Sequence, residues 1–154
     1  MSRIVLTTLN ARYIHSAIGL RYLYANLGEM RGDAKILEFT VGDRPSDMAE
    51  KILDEKPQIV GIGVAIWNAR ESSELVRILK AIRPKLLIVL GGPEVSHEPL
   101  RVDFPLADYI VMGEGEKAFC SLSRELLTGR LPAERFIRAT VPELSELEDR
   151  KSVV

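Results

Sequence analysis

The sequence predicts a single α/β domain in which helices cover a parallel sheet on both sides. Two observations support this prediction. Short runs of β-branched and leucine residues alternate with segments of helical period. Some of these runs are apolar at consecutive positions, as in residues 59–64, which is typical of a strand buried on both faces. A chain of 154 residues is long enough to enclose one hydrophobic core.

Five strands are expected, and turn or helix signals follow each of them. They are predicted at residues 4–9, 34–40, 58–66, 86–90 and 108–112. With right-handed crossovers, they fit a flavodoxin-like or Rossmann-like three-layer sandwich with strand order 2-1-3-4-5. Ligands of such sheets lie beyond the carboxyl ends of the strands, so function is expected in the loops that leave those ends.

Four helices are predicted between the strands, and the first has the clearest pattern. Apolar residues recur at helical spacing from Leu20 to Met30, with Ser16 as a candidate cap and Gly32 as a stop. The remaining helices are expected at residues 46–55, between Asn68 and Pro84, and at residues 116–128.

The helical and strand patterns weaken after residue 131. Residues 136–141 have the character of a short edge strand, whereas residues 142–154 are charged and lack a periodic apolar face. We therefore expect residues 1–131 to form the domain and residues 132–154 to form an edge segment and a linker.

The composition argues against several functions. The net charge is -1 and no basic stretch contains interleaved aromatic residues, so nucleic acid is not an expected partner. Neither a membrane span nor a secretory signal is visible, which favours a cytoplasmic protein without a membrane partner. Cys120 is the only cysteine, and one thiol cannot supply the several ligands of an iron–sulfur cluster.

Glycines mark the predicted ligand edge. Gly91 and Gly92 directly follow a strand, where the absence of Cβ atoms lets a flat group approach the backbone or permits a tight turn before Pro93. Gly61 and Gly63 alternate along the third strand and therefore point to the same face. Two missing side chains on one face leave a slot, which either a packed helix or an inserted aromatic or nucleotide group would fill.

Residues 113–118 follow the fifth strand and match the G-x-G-x-x-A form of a dinucleotide-binding loop. However, Glu114 and Glu116 place carboxylates where a pyrophosphate would be repelled. The same carboxylates suit the start of a helix. A neutral group, a cationic group or a sugar hydroxyl therefore fits this loop better than a diphosphate.

The loop after the first strand, residues 10–16, contains more aromatic and titratable residues than a connector requires. His15 is a candidate ligand or a surface histidine, and no second metal ligand stands at a suitable spacing. Trp67 is either a lid over the strand ends or an aromatic contact for a ligand. No catalytic residue and no protein-bound metal are predicted.

These features resemble the cobalamin-binding domain at the amino end of cobalamin-dependent radical SAM proteins, a group that includes anaerobic magnesium-protoporphyrin monomethyl ester cyclases. The resemblance covers roughly residues 3–129. It is carried by Tyr13-Ile14-His15-Ser16 with Gly19-Leu20, Val60-Gly61-Ile62 with Ile66-Trp67-Asn68, Gly91-Gly92-Pro93-Glu94, and Asp108-Tyr109-Ile110-Val111 with Gly113-Glu114-Gly115-Glu116.

The resemblance implies a cofactor module that binds cobalamin at the carboxyl edge of the sheet and is not catalytic alone. It also implies a radical SAM domain in the parent chain, with S-adenosylmethionine and a [4Fe-4S] cluster in that absent domain, for a methyltransferase or cyclase reaction. The residues implied at the cofactor are Asn10, Tyr13, His15, Ser16, Gly61, Gly63, Val64, Ala65, Trp67, Asn68, Gly91, Gly92, Pro93, Glu94, Gly113, Glu114, Gly115 and Glu116.

The chain departs from the better-known cobalamin domains in two places. Those domains carry an Asp-x-His-x-x-Gly motif. In this chain Tyr13 stands at the position of the Asp, and Gly19 lies one residue too far from His15 to match the motif. Gly63, Val64 and Ala65 stand where those domains have Ser-x-Leu. We therefore expect base-off, His-off cobalamin, with His15 or Tyr13 beneath the corrin and no firm cobalt bond. The alternatives are an NAD- or FMN-binding domain and a non-catalytic interaction domain of the same fold.

Overall fold

The computed structural model describes residues 2–10, 24–65, 67–92, 104–112 and 116–138. Within these ranges, six parallel strands form one sheet of order β2-β1-β3-β4-β5-β6. The strands are β1 Ile4–Asn10, β2 Ala34–Thr40, β3 Ile59–Gly63, β4 Leu87–Gly91, β5 Tyr109–Met112 and β6 Phe136–Arg138. The predicted order 2-1-3-4-5 is confirmed, and β6 extends it by one strand.

Three helices have both ends within the described ranges: α1 Pro45–Asp54, α2 Ala69–Ile82 and α3 Glu116–Leu127. Pro45 is the first residue of α1, where its fixed φ suits a helix and its missing N–H has no helical partner to lose. The three helices agree with the predicted segments to within a few residues.

The first predicted helix ends earlier than expected. Residues 24–26 are helical, but Gly28 adopts a φ of +58° and a 3-10 helix follows at Gly28–Asp33. The prediction of a helix that continues through Met30 to a stop at Gly32 is therefore wrong. A glycine at positive φ ends the α-helix one turn sooner, because this conformation breaks the helical path. Ser16 and Leu20 lie outside the described residues.

The strands bury two apolar layers, one on each face of the sheet. The α1–α2 layer contains residues such as Val60, Ile62, Leu90, Met48 and Leu75. The α3 layer contains residues such as Leu6, Ile59, Val89, Phe119 and Leu122. Successive strand residues alternate between these two layers, as the continuous apolar runs predicted. Each fully buried Leu or Ile contributes about 1.5–3 kcal/mol of hydrophobic stabilisation.

Polar contacts hold the amino ends of β4 and β5. Lys80 Nζ lies 2.8 Å from Asp108 Oδ2 and donates a 2.6 Å hydrogen bond to the Leu86 carbonyl. The same Asp108 oxygen accepts a 2.8 Å bond from the Ile88 amide. These bonds fix the two strands at the end of the sheet opposite to the predicted ligand edge. No helix of the described ranges has the length and apolar character to cross a membrane.

Tyr109 connects β5 to the segment before β6. Its side chain is buried, and its hydroxyl donates a 2.8 Å hydrogen bond to the Pro132 carbonyl. Burial raises the pKa of Tyr109, and the charges of Asp108 and Glu125 raise it further. The folded protein therefore holds this phenol in its neutral form.

We predict that Tyr109→Phe lowers the free energy of unfolding at pH 7 by about 1 kcal/mol, the usual effect of one lost hydrogen bond. Since the pKa is higher in the folded state, wild-type stability should fall as the pH rises above about 10, where the unfolded tyrosine ionises. Tyr109→Phe should lose less stability over that range. Urea unfolding of both proteins from pH 7 to 11 measures the two slopes, and equal slopes would contradict the prediction.

Candidate functional site

A row of small side chains crosses three strands at their carboxyl ends. Thr8 is the register partner of Gly63, and Gly63 is the register partner of Gly91. All three share the face of Leu6 and Val89, which belong to the α3 layer. They are half-buried, whereas the residues just before them in each strand are buried. We call this row, Thr8, Gly63 and Gly91, the edge notch.

Gly91 has room for a side-chain atom within the described part of the chain. There, a Cβ atom added to Gly91 would meet only the Val111 carbonyl oxygen, at 3.9 Å, which is ordinary van der Waals contact. Thr8 Oγ1 donates a 2.8 Å hydrogen bond to the Gly63 carbonyl, so its hydroxyl points from the end of β1 toward the end of β3. Two of the three notch residues, Gly63 and Gly91, have no side chain.

Gly61 lies one step deeper on the same face, and the protein itself fills the space there. An added Cβ would be 3.1 Å from Leu6 Cδ2 and 3.1 Å from both Cε2 and Cζ of Phe119. The sequence left open whether this glycine served packing or a ligand. In the structure Phe119 and Leu6 pack against Gly61, which leaves Gly63 and Gly91 as the remaining glycines of the predicted slot.

Gly92 has a different structural role. Its φ is +108°, and an added Cβ would lie 2.4 Å from the Val64 carbonyl oxygen and 2.9 Å from the Val64 nitrogen. The Val64 amide also donates a 2.7 Å bond to the Gly91 carbonyl. Gly92 therefore allows two main chains to cross in contact, which corrects its interpretation as a residue that keeps a slot open. The Val64 side chain belongs to the α1–α2 layer, on the other face of the sheet.

Asn68 ties the ends of β1 and β3 to the start of α2. Its side chain is fully buried. Its Nδ2 donates a 2.9 Å bond to the Leu9 carbonyl, and its Oδ1 accepts bonds from the Ala65 amide at 2.8 Å and from Ser72 Oγ at 3.2 Å. With these partners inside the protein, the Asn68 side chain positions the edge of the sheet and is not presented to a ligand.

Trp67 stands at the same edge with 51% of its surface exposed. Its Nε1 donates a 3.2 Å bond to the Leu9 carbonyl, which also accepts the Asn68 bond. One carbonyl therefore anchors both the exposed indole and the buried amide. This exposure fits both roles predicted for Trp67, a lid over the strand ends and an aromatic contact for a ligand.

The remaining predicted site residues are only partly described. Asn10 is buried at the end of β1, and its carbonyl accepts a 3.0 Å bond from the Val41 amide. Ala65 is buried, and its amide is held by Asn68. Glu116 opens α3, and its side chain is not described. Outside the described residues lie Tyr13, His15, Ser16, Pro93, Glu94, Gly113, Glu114 and Gly115.

The sequence predictions missed two residues of this edge, Thr8 and Phe119. Thr8 is a polar residue near the end of an apolar strand, and this signal was available in the sequence. Phe119 was predicted only as part of the inner stripe of its helix, because spacing along α3 does not show which strand residue it meets. In the described part of the chain, no three His, Cys, Asp or Glu side chains gather as a metal site.

Comparison with known proteins gives consistent matches. The B12 binding domain family matches residues 4–123. The chain is 34% identical over 87 residues to the cobalamin-dependent radical SAM methyltransferase TokK of Streptomyces tokunonensis, covering 55% of this chain and 12% of that protein. It is 36% identical over 96 residues to the anaerobic magnesium-protoporphyrin IX monomethyl ester cyclase of Rubrivivax gelatinosus, and this match covers 56% of this chain and 16% of the cyclase. The matches thus span less than a fifth of either relative.

A solved structure supports the fold. It is a novel cobalamin-binding protein from Desulfitobacterium hafniense DCB-2, which matches with a TM-score of 0.51 and 21% identity over 77% of this chain and 57% of that one. At this level of identity the similarity concerns the fold alone.

The shared carbonyl of Leu9 leads to a prediction about stability. Asn68→Ala should lower the free energy of unfolding by about 2 kcal/mol, because the buried Ala65 amide loses its partner. Trp67→Phe leaves the Asn68 bond to Leu9 in place and should cost less. The double variant leaves the Leu9 carbonyl without either donor. Its loss in free energy of unfolding should therefore exceed the sum of the two single-variant losses by about 1 kcal/mol.

Urea unfolding of the four proteins in this cycle measures the coupling. Ser72→Ala is the matched control, because it removes only the bond to Asn68 Oδ1. Strict additivity of the Asn68 and Trp67 effects would show that the Leu9 carbonyl does not link them.

Proposed function

Since the chain belongs to the B12 binding domain family, we propose that it holds cobalamin over the carboxyl edge of the sheet, with the nucleotide tail of the cofactor in the edge notch. The observation that carries this proposal is the half-buried row Thr8, Gly63 and Gly91, where two adjacent strand ends have no side chain. A flat base inserted beside such a row can contact the backbone directly.

The dimensions of the notch support a tail and not the whole cofactor. Three neighbouring strands span two inter-strand spacings, or about 9.6 Å. This width suits a benzimidazole but not a corrin ring. The corrin would therefore rest above the strand ends, where Trp67 is exposed. The NAD and FMN alternatives gain no comparable support, because the family match and the similar proteins are cobalamin proteins.

The proposed binding mode is base-off and His-off. Its support comes from the first loop, where Tyr13 replaces the Asp of the histidine-ligating motif and Gly19 is displaced by one residue from His15. A tail held in the notch is separated from the cobalt, which makes the cofactor base-off. On this proposal, His15 or Tyr13 would lie beneath the corrin without a firm bond to the metal.

The proposed role in the parent protein is that of a cofactor module. Bound cobalamin supplies a cobalt centre that passes a methyl group or assists a radical reaction. The residues described here bind and orient the cofactor, and Cys120 alone cannot hold a cluster. We place S-adenosylmethionine and a [4Fe-4S] cluster on a radical SAM domain of the parent protein, joined through the edge segment and linker at residues 132–154, for a methyltransferase or cyclase reaction.

Cobalamin binding is testable through Trp67, the only tryptophan of the chain. Hydroxocobalamin should bind saturably and quench the Trp67 emission, since the corrin would lie near the indole. Flavin mononucleotide and NAD should not saturate the protein under the same conditions. Absorbance titration of Trp67→Phe provides the control that does not depend on fluorescence. Saturable uptake of either nucleotide, with none of cobalamin, would overturn the proposed function.

The binding mode has a separate readout in the electron spin resonance spectrum of the cob(II) form. We expect no nitrogen hyperfine splitting from an axial base, and no change in this spectrum in His15→Ala. Axial nitrogen splitting that disappears in His15→Ala would refute the His-off mode while leaving cobalamin binding intact.

The edge notch itself is tested by Gly91→Val. Because Gly91 has room for a Cβ, this variant should keep its free energy of unfolding within about 1 kcal/mol of wild type. Its added side chain should weaken cobalamin binding at least about tenfold, which corresponds to about 1.4 kcal/mol. Isothermal titration and urea unfolding measure the two quantities.

Gly32→Val is the matched control, because an added Cβ there meets no atom of the described ranges within 4 Å and Gly32 lies just before β2, away from the notch. Gly92→Val should instead destabilise the fold through its clash with Val64. Wild-type affinity in a folded Gly91→Val protein would remove the notch from the binding site.

A further inference from the structure

The segment that leads into β6 is fastened to β5 by hydrogen bonds. The Tyr109 hydroxyl donates to the Pro132 carbonyl at 2.8 Å, and the Ile110 amide donates to the Arg135 carbonyl at 2.8 Å. From there β6 pairs in parallel with β5, and the pairing continues to the last residue of both strands. The position of β6 is therefore tied to that of β5 along its whole length.

The Arg135 side chain adds a second connection, to the turn that leads into β5. Its Nε donates a 3.1 Å hydrogen bond to the Ala107 carbonyl, and its Nη2 donates to the Phe104 carbonyl. The guanidinium carbon also lies 5.2 Å from the centre of the ring of Phe136, the first residue of β6. Because a planar guanidinium holds several donors in fixed directions, one side chain joins the turn before β5 to the start of β6.

The carboxyl end of β5 relies on β6 for its pairing. On the β4 side, the register partners of β5 end at Ile110 within the described ranges. On the β6 side, they continue through Val111 and Met112. The last two residues of β5 thus extend past the register with β4 and are paired with β6.

This end of β5 borders the edge notch. Among the described atoms, the Val111 carbonyl oxygen is the only one within 4 Å of a Cβ built on Gly91. Val111 is in turn the register partner of Ile137 in β6. The placement of β6 therefore bears on the position of the backbone atom nearest to the open side of Gly91.

We infer that Arg135 is a positioning residue for the cofactor edge, because it fixes β6 and, through β6, the carboxyl end of β5 beside the notch. This inference rests on the proposed function and deepens it, since it makes residues 132–138 part of the binding module. Arg135 bonds to the turn before β5, at the opposite end of the sheet from the notch. Its effect on a ligand is therefore carried by the backbone. An edge that is fixed before the ligand arrives loses less conformational freedom on binding.

The test replaces the donors of Arg135 in the full chain. Arg135→Met keeps a long side chain without a donor and should weaken cobalamin binding at least about fivefold, measured by isothermal titration with hydroxocobalamin. Arg135→Lys keeps the charge and a single donor nitrogen, so it should restore part of the lost affinity. Titrations are made at a temperature where urea unfolding shows each variant to be folded.

Lys80→Met is the matched control for lost stability. Lys80 also bonds to the segments before β4 and β5, through the Leu86 carbonyl and the Asp108 carboxylate. In the described part of the chain, its printed contacts do not include the segment that leads into β6. Lys80→Met should therefore destabilise the fold and leave the affinity for cobalamin unchanged.

Hydrogen exchange shows where each variant loosens the sheet. In Arg135→Met, the Ile110 amide and the amides of β6 should exchange faster than in wild type by a larger factor than the amides of β1 and β3. A uniform increase across all strands would indicate a general loss of stability and would contradict a positioning role for Arg135.

The affinities separate this inference from the proposed function. If wild-type protein takes up no cobalamin, the proposed function fails, and the inference fails with it. If wild-type protein binds cobalamin and Gly91→Val weakens this binding, but Arg135→Met keeps the wild-type affinity, only the role of Arg135 is refuted. An equal loss of affinity in Lys80→Met would overturn the inference as well.

Discussion

The carboxyl edge depends on one close contact between main chains, at Gly92 and Val64. An added Cβ on Gly92 would lie 2.4 Å from the Val64 carbonyl oxygen, so any side chain would push the two segments apart. The neighbouring bond from the Val64 amide to the Gly91 carbonyl joins the same segments. The close contact and the hydrogen bond together hold the ends of β3 and β4 in register, with Gly63 beside Gly91. Gly63 and Gly91 lie side by side because Gly92, which does not line the notch, permits this crossing.

A second fixed point lies on the other side of β3. Asn68 joins the Leu9 carbonyl of β1 to the Ala65 amide beyond β3, and Trp67 is anchored to the same carbonyl. The three strand ends that form the notch are therefore fastened pairwise by contacts internal to the protein. An edge arranged in this way loses little conformational freedom when a ligand binds, which favours affinity.

The sequence predicted the sheet well because its signals are local. Apolar runs and turn residues indicate strands, and the order of βα units limits the topology. The end of β3 was placed at residue 66 instead of Gly63, because Val64 and Ala65 are as apolar as the strand itself. Their main chain leaves the sheet to pass Gly92 and Asn68. Such a departure is set by tertiary contacts that no local pattern contains.

The glycines show why the site was harder to predict than the fold. Gly61, Gly63, Gly91 and Gly92 look alike in the sequence, but they have three different surroundings. The Phe119 ring packs against Gly61, and the Val64 main chain lies in contact with Gly92. Gly63 and Gly91 are half-buried at the edge of the sheet. A missing side chain indicates that something approaches the backbone, but its identity depends on residues distant in sequence. The cobalamin resemblance implies a site at the carboxyl edge, and the register of β1, β3 and β4 shows which residues lie side by side there.

These arrangements determine how such a module would cooperate with a catalytic partner. The notch is about as wide as three strands, so on the proposed function it would hold the tail and leave the corrin above the edge. The protein would then contact the cofactor from below, at an edge that the contacts of Gly92 and Asn68 hold in place. On the proposed function, the opposite face of the corrin remains open to a second domain. A rigid lower site and an open upper face suit a cofactor whose reaction is completed by residues outside this chain, since its position is fixed before the partner contributes any contact.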